Sequence, residues 1–445
     1  MMFMDTIAAI ATPLQEGAIS IVRVSGDDAI EIVNKICSRD LMKVNSHQVV
    51  YGYIMEDGTY VDEVLISVFK APKSFTMEDI VEINCHGGIY ITKKILSLVL
   101  AAGARLAEKG EFTKRAFLNG RIDLSQAEAI NDLISGKDQG VTKVAMQALR
   151  GGVRKLIEPL KEDLIQIIGQ IEVNIDYPEY YDVATVTEEE LLPKTKEWLS
   201  KINELLAKSQ SGKLMREGIK TVILGKPNVG KSSLLNALLE EDKAIVTDIE
   251  GTTRDLVEGY VRLPSITLHL IDTAGIRETE DIVEKIGIDK SKQAMNEADL
   301  IVVLLDASRE LSNEDYELLE LTKDKVRLVV YNKSDDVKVE IPEDAILISA
   351  GQHDIDALVD AIEAMYEKHS FALNEPTLAN ERHIALLKQA KEYIMKAIDT
   401  LEMGLEVDLA TIDMQSAYDC IIDILGEKGK KDLLDELFSR FCLGK

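Results

Sequence analysis

No stretch limits the possible folds of this chain as sharply as residues 222–233, VILGKPNVGKSS. Gly225 and Gly230 enclose four residues, Lys231 and Ser232 follow at once, and the whole sits between an apolar strand-like run and a helical one. That is the strand–loop–helix setting a phosphate-binding loop requires. The glycines let backbone N–H groups turn inward on an anion, and the helix that follows adds partial positive charge at its N-terminus. In such a loop Lys231 reaches the β- and γ-phosphates, and the Ser232 hydroxyl is placed for Mg²⁺. Asn228, Val229 and Ser233 complete the stretch expected around the nucleotide. The surroundings agree. Over about residues 216–372, strand-like runs (IKTVILG, ITLHLID, LIVVLLD, VRLVVYN, AILIS) alternate with helical ones such as KSSLLNALL, which implies a mainly parallel sheet wrapped by helices.

Three more segments follow in chain order. LIDTAG puts Asp272 at a strand end, where its carboxylate can hold a Mg²⁺-bound water; Thr273 and Ala274 lead to Gly275, whose N–H is left for the γ-phosphate. NKSD (Asn332, Lys333, Ser334, Asp335) follows the next strand but one, and Asp335 can accept from a guanine's ring N–H and exocyclic amine. Adenine offers no matching pair of donors, so the wrong base would leave buried groups unpaired and GTP is selected over ATP. Ser349, Ala350 and Gly351 fit a backbone contact to the guanine carbonyl. Four ordered motifs define a GTP-binding domain. The glutamine that often follows the DTAG glycine and orients the attacking water is replaced by Ile276. Substitutes are sought in VTDIEGTTRD (246–255), where Thr252 and Thr253 offer hydroxyls, and in RETEDIVEKIG (277–287); from spacing alone Glu278, Glu280, Asp281 and Glu284 read as solvated helix acids.

Outside this region the pattern changes twice. Residues 1–118 mix alternating runs (AISIVRVSG, DEVLISVFKAP) with the helical YITKKILSLVLAAGA, which stops near Gly103, and predict a compact α+β domain. Residues 119–215 and 373–445 carry helical periodicity, with a stripe through Val153, Leu156, Leu160, Leu164, Ile167, Ile168 and Ile171, and with Ser125 and Glu128 at capping-box spacing. The expectation is a multidomain chain: an α+β N-terminal domain, an all-α helical domain, and an α/β phosphate-loop domain (216–372) inserted in the latter. At 445 residues and 46% hydrophobic content such a division is ordinary for a globular protein. The net charge of −27 repels nucleic acid on average, so an RNA partner would need a local basic patch; RLAEKGEFTKRAFLNGR (105–121), five Lys/Arg against two Glu, is the candidate. No apolar run reaches the roughly 18 residues of a membrane span, and MMFMDTIAAIATPLQEG carries Asp5 with no basic leader. Four scattered cysteines without metal-ligand spacing suit reduced thiols, so a cytoplasmic chain is expected. The terminal LFSRFCLGK fails as a prenylation signal, since Gly444 and Lys445 occupy the wrong places, yet it is too apolar for a solvated tail.

The phrases DTIAAIATP, EDIVEINCHGG, GEFTKRAFLNGRIDLSQAEAINDLI, MREG, GKPNVGKSSLLNALL, VTDIEGTTRD, IDTAGIRE and FCLGK resemble, over essentially the whole chain, the tRNA-modification GTPase family known as MnmE or TrmE. The resemblance implies a homodimer whose GTP domains pair transiently and whose hydrolysis is stimulated by K⁺, a cation that can neutralise developing charge as an arginine finger would. It places Asn228, Thr247, Ile249 and Thr252 around K⁺, with Asp248, Glu250 and Gly251 in the same switch, and sets Thr253 beside Ser232 on Mg²⁺. Glu284 matches the residue that orients the attacking water, which makes it, with Lys231, the expected catalytic pair. The N-terminal domain is similar to folate-dependent aminomethyltransferases; Arg23, Glu82 and Arg121 match positions around a 5-formyl- or methylene-tetrahydrofolate, Arg121 standing where lysine is frequent. The tail is then expected to bring Lys445 near the pteridine and Cys442, a candidate modification site, near the one-carbon unit. With an MnmG/GidA-type flavoprotein supplying FAD and NADH, the pair would modify C5 of wobble uridine in tRNA. The rival readings are a ribosome-assembly GTPase of the Era or EngA type and a folate-responsive GTP switch. The first would need an RNA-binding module whose only GXXG candidate, Gly426–Gly429, lacks the strands it requires.

Overall fold

The computed structural model describes residues 5–136, 139–176, 188–240, 259–263, 266–271, 295–371, 376–428, 437–438, 441 and 444. The chain forms two compact units, residues 1–131 with 422–445, and residues 132–421.

The first unit is built on a six-stranded sheet of β1 (Ile7–Ile10), β2 (Ile19–Ser25), β3 (Gln48–Glu56), β4 (Thr59–Phe69), β5 (Ile80–His86) and β6 (Arg105–Leu106), in the order β3-β4-β5-β2-β1-β6. All neighbours are antiparallel except β1 and β6. Strand alternation decides what each face does. Val22, Val24, Ile66, Val81 and Ile83 point to one face, where α1 (Ala29–Lys35) and α2 (Ile89–Ala101) bury them with Ile30, Val33, Ile95 and Val99. The opposite face carries the row Val49, Ser67, Glu82, Arg23 and Ala9. Here α3 (Glu111–Leu118) covers the β1 side, Phe112 packing with Ile7 and Ala9, while Ile19, Val49, Tyr51 and Leu65 stay exposed. The α2 helix ends at Ala101 and Gly103 turns at φ +126°, the stop expected of that glycine.

Two expectations need correction in this unit. The basic run 105–121 is not a free cationic surface. Arg115 is wholly buried among Asp5, Glu78 and Glu111, and Arg105 pairs with Asp5 and Glu111. The acids that neutralise these two lie mostly outside the run, so counting charges along the sequence could not reveal them. The cap of α4 (Leu124–Ser135) belongs to Asp123 rather than Ser125. Asp123 Oδ1 accepts from Gln126 N at 2.9 Å and from the Ser125 hydroxyl at 2.6 Å, while Asp123 N donates to Gln126 Oε1 at 2.9 Å. This is a reciprocal capping box set two residues earlier, with Ser125 buried inside the first turn.

The second unit joins helices to a mainly parallel sheet. Its helices include α5 (Gln139–Leu149), α6 (Gly152–Asp176) and α7 (Glu188–Glu217) before the sheet, and α11 (Glu381–Glu402) and α12 (Val407–Ile424) after it. The apolar stripe of α6 is buried as its spacing expects, except that Ile157 takes the inward place and Leu156 is only half-buried. Trp198 of α7 lies 1% exposed against α6 and donates its indole N–H to Leu160 O at 2.8 Å. The sheet contains β7 (Ile219–Leu224), β8 (Gly259–Arg262), β9 (Thr267–Leu270), β10 (Leu300–Asp306), β11 (Arg327–Asn332) and β12 (Ile346–Ile348), in the order β12-β11-β10-β7-β9-β8. Every pair is parallel but β8–β9. Helices α8 (Lys231–Glu240), α9 (Asn313–Leu321) and α10 (Asp356–Phe371) intersperse the strands. β10 reads LIVVLLD and is buried at every position, as a central parallel strand covered on both faces must be. The expected architecture, an α+β N-terminal domain, a helical domain and an α/β phosphate-loop domain, is the one observed.

Candidate functional site

The phosphate loop runs from the end of β7 to the first turn of α8, the only place in a βα unit where backbone N–H groups and a helix N-terminus converge on one point. Its close packing explains its glycines. A Cβ on Gly225 would lie 2.5 Å from Leu304 O, and one on Gly230, at φ +100°, would lie 2.1 Å from Asn332 Nδ2. Lys231 folds back over the loop and donates to Gly225 O at 2.6 Å and Lys226 O at 2.8 Å. Burial pushes the Lys231 ammonium below its ordinary pKa, because the charged form loses hydration that an arriving phosphate would replace. Ser232 and Ser233 are exposed in the first turn, and Asn228 is exposed at φ +63°. Val229 is buried, its carbonyl used by a residue a hundred positions away.

That residue is Asn332. Its Nδ2 donates to Val229 O at 2.8 Å and its Oδ1 accepts from Ala350 N at 2.9 Å, with the side chain 2% exposed. One amide therefore fastens the phosphate loop, the end of β11 and the 349–351 turn together. Asn332, a residue expected to meet the nucleotide, thus also holds the site together, through one of its two amide N–H groups and its oxygen. Asp335 is exposed, and its Oδ1 accepts from the Ser349 hydroxyl at 2.8 Å, which orients the carboxylate. Gly351 is exposed with open space around it, and Ser334 is half-buried. Lys333, at φ +71°, pairs with Asp306 at 2.7 Å. Burial alone would raise the Asp306 pKa, but Lys333 and the hydroxyl and N–H of Ser308 hold it below the ordinary value. Asp306 went unnoticed in the sequence. The available signal was an acid closing an apolar parallel strand, the end at which open α/β sheets bind ligands. Lys226 was also missed; it ties the loop to the start of α9, bonding Ser312 at 2.8 Å and Glu314 at 2.9 Å. Thr247, Asp248, Ile249, Glu250, Gly251, Thr252, Thr253, Asp272, Thr273, Ala274, Gly275 and Glu284 lie outside the described residues, as do Cys442 and Lys445.

The N-terminal unit holds a second cluster. Arg23 of β2 and Glu82 of β5 are cross-strand partners, and the guanidinium forks onto Glu82 Oε1, Nε and Nη2 each at 2.8 Å. Its Nη1 donates to Gly444 O at 3.2 Å, and its centre lies 5.7 Å over the Phe112 ring. The tail reaches this corner because Phe438 and Phe441 bury against Leu124 and Ala127, and because Gly110 leaves room for them; a Cβ there would be 2.6 Å from Phe438 O. Gly444 adopts φ +91°, and a Cβ there would lie on Ile10 O. The Arg121 guanidinium lies 4.8 Å over Phe75, which packs on the cluster that holds Phe112, and donates to Phe75 O at 2.8 Å. Cationic forks beside aromatic rings suit a flat, amide-edged ligand.

A mainly parallel sheet whose phosphate loop is clasped from the guanine-reading strand, with an aspartate aimed by the serine of the last motif, defines a phosphate-loop GTPase. Family models agree and go further: residues 6–121 match the GTP-binding protein TrmE N-terminus, and residues 124–442 match the MnmE helical domain. The chain is 48% identical over 449 residues to the tRNA modification GTPase MnmE of Streptococcus thermophilus, covering 99% of this chain and 98% of that one. It is 49% identical to the MnmE of Lactococcus lactis subsp. cremoris over 449 residues and 50% identical to that of Ligilactobacillus salivarius over 455, with the same coverage. This chain belongs to the MnmE (TrmE) family and is a GTP hydrolase.

Proposed function

We propose that this GTPase acts in tRNA modification as a K⁺-activated homodimer, installing an aminomethyl or carboxymethylaminomethyl group at C5 of wobble uridine together with an MnmG/GidA-type flavoprotein. The one-carbon unit comes from a tetrahydrofolate derivative held by Arg23, Glu82, Arg121 and Lys445, while FAD and NADH belong to the partner. The observation that carries the reading is the contact between Arg23 and the carbonyl of Gly444, the next-to-last residue. The tail is anchored at Phe438 and Phe441 and brings Gly444 to the Arg23–Glu82 corner of the N-terminal sheet.

The residues present fit the ions. Oxygen donors suit hard cations, and Ser232 opens α8 beside Lys231 for Mg²⁺, with Thr253 as the second ligand. Asn228 offers an amide oxygen on the same loop for K⁺, with Thr247, Ile249 and Thr252 from the switch. Glu284 orients the water in place of Ile276. The uncovered sheet face bearing Ile19, Val49, Tyr51 and Leu65 supports pairing of two N-terminal units, since a second copy would cover an apolar surface now in water. The domains follow as 1–118, 119–215 with 373–445, and 216–372.

The reading is tested by comparing the full chain with a form lacking 442–445, in KCl and in NaCl. The full chain is expected to turn over GTP faster in KCl and to restore modified wobble nucleosides in cells lacking it. The shortened form is expected to keep the KCl stimulation and lose the modification. Equal turnover in both salts would refute K⁺ activation, and intact modification would refute the role of the tail.

A further inference from the structure

We propose that Arg115, a residue of the basic run that the nucleotide and tail sites leave unused, is a positioning residue for the aromatic wall beside the Arg23–Glu82 corner. It acts through the segment between β4 and β5. The wholly buried guanidinium donates from Nη1 to Glu78 Oε1 at 3.1 Å and to Asp5 O at 2.9 Å, and from Nη2 to Asp5 Oδ1 at 2.8 Å and Glu111 Oε1 at 3.0 Å. Glu78 is itself held at its other oxygen by the Ser25 hydroxyl, at 2.7 Å. One helical turn further on, Asn119 Nδ2 donates to Thr76 O at 2.6 Å. The segment carrying Phe75 is thus gripped at Glu78, Thr76 and, through Arg121, at Phe75 itself. Phe75 in turn packs with Ile7, Ala9 and Phe112, the ring under the Arg23 guanidinium.

A buried ionic cluster is a poor device for stability, since desolvation of the charges offsets much of their attraction and apolar residues of similar volume often do as well. What a guanidinium provides and an apolar side chain does not is direction. Its planar fork fits one arrangement of Glu78 and Asp5, and so selects one path for the segment between them. The structure assigns that selectivity to Phe75: with Arg115 in place, the ring is fixed against Phe112 before any ligand arrives, and none of the binding free energy goes to ordering it.

The inference rests on the proposal that this corner holds a tetrahydrofolate derivative. The test titrates 5-formyltetrahydrofolate into the full-length dimer and into Arg115→Lys, Phe75→Leu and the double variant, with K⁺-stimulated GTP turnover measured on each. Arg115→Lys keeps the charge but loses the fork. It is expected to weaken binding about tenfold, as is Phe75→Leu, and the double variant no further than the worse single one, because residues acting through one another are not additive. GTP turnover should stay within twofold throughout. Unchanged affinity in Arg115→Lys, or losses that multiply in the double variant, would overturn the role of Arg115. Should Arg115→Lys not fold, Asn119→Ala replaces it, with a threefold loss expected, again non-additive with Phe75→Leu; unchanged affinity there would overturn the inference equally. If the unsubstituted dimer does not bind the folate, the ligand assigned to the corner is wrong and the inference falls with it, an outcome distinct from binding that ignores Arg115.

Discussion

The side-chain amide of Asn332 shows how a residue of the NKSD motif can fasten the site it belongs to. One of its two N–H groups donates to Val229 O and its oxygen accepts from Ala350 N, and it lies so close to Gly230 that no side chain fits there. Replacing it by alanine strands a buried carbonyl and a buried N–H. Each such orphan costs about 1–3 kcal/mol, and the phosphate loop loses its link to the base-reading turn. Asn332→Ala should therefore weaken GDP and GTP alike, by at least tenfold, and lower the melting temperature of the nucleotide-free protein. A fluorescent-nucleotide titration and a thermal melt check this. A variant that melts normally and loses only GTP would place Asn332 on the γ-phosphate side instead. At this scale the Gly-x4-Gly-Lys-Ser spacing of the phosphate loop was legible, because that motif is contiguous in sequence. The role of Asn332 was not, because its partners lie about twenty and a hundred residues away.

Helices α3 and α4 carry the lessons at the scale of elements. Asp123, not Ser125, caps α4, so Asp123→Ala should cost about 1 kcal/mol and Ser125→Ala well under that, because the latter leaves the Asp123–Gln126 exchange intact. Hydrogen-exchange rates at the first turn of α4 distinguish the two, and the reverse ranking would reinstate Ser125 as the cap. On α3, burial raises the pKa of Glu111, but Arg105, the N–H of Glu108 and Arg115 outweigh it and hold the carboxyl below its ordinary 4.5. Asp5 is likewise held below its ordinary 3.8, chiefly by Arg105. A depressed carboxylate pKa contributes stability that is present above the unfolded value and is lost as pH falls through the folded one. The N-terminal unit should therefore loosen as pH drops below about 4, with little change between pH 6 and 8 from this source. Glu111→Gln should cost about 2 kcal/mol at pH 7 and progressively less at lower pH. Exchange protection of β1 and β2 across pH reads this directly, and a pH-independent gap would show that the Glu111 charge contributes nothing.

Element types were largely readable from periodicity. β10 is apolar throughout and buried throughout, and the α6 stripe failed only where Leu156 and Ile157 compete for one inward direction. The hairpin of β3 and β4 was also open to reading, since Asp57 and Gly58 both adopt positive φ, the two-residue turn that Asp-Gly favours. What periodicity could not supply was pairing across distance. Arg105 and Arg115 read as surface charge because Asp5 and Glu78 stand tens of residues away, and Arg23 and Glu82 stood out only through the family resemblance, since alternation alone does not show that they pair or meet Phe112 and Gly444.

At the scale of the whole molecule, charge sets the terms on which this GTPase meets tRNA. The chain carries −27, and the run that offered a local cationic surface spends Arg105 and Arg115 on internal carboxylates and lays Arg121 on Phe75. Three of its five cations are thus engaged within the chain. Affinity for a polyanion grows with the number of phosphates neutralised and falls steeply with salt in proportion. The purified chain alone should therefore bind tRNA weakly at 150 mM KCl, with a shallow dependence of log affinity on log salt, on the order of one or two ion contacts. If the proposed flavoprotein partner supplies the cations, adding it should raise affinity by two orders of magnitude or more and steepen that slope. Filter binding at four or five salt concentrations, with each protein alone and together, decides the matter. Tight binding with a steep slope by this chain alone would mean that the chain itself carries a cationic surface, and would move the tRNA contact from the partner to this GTPase.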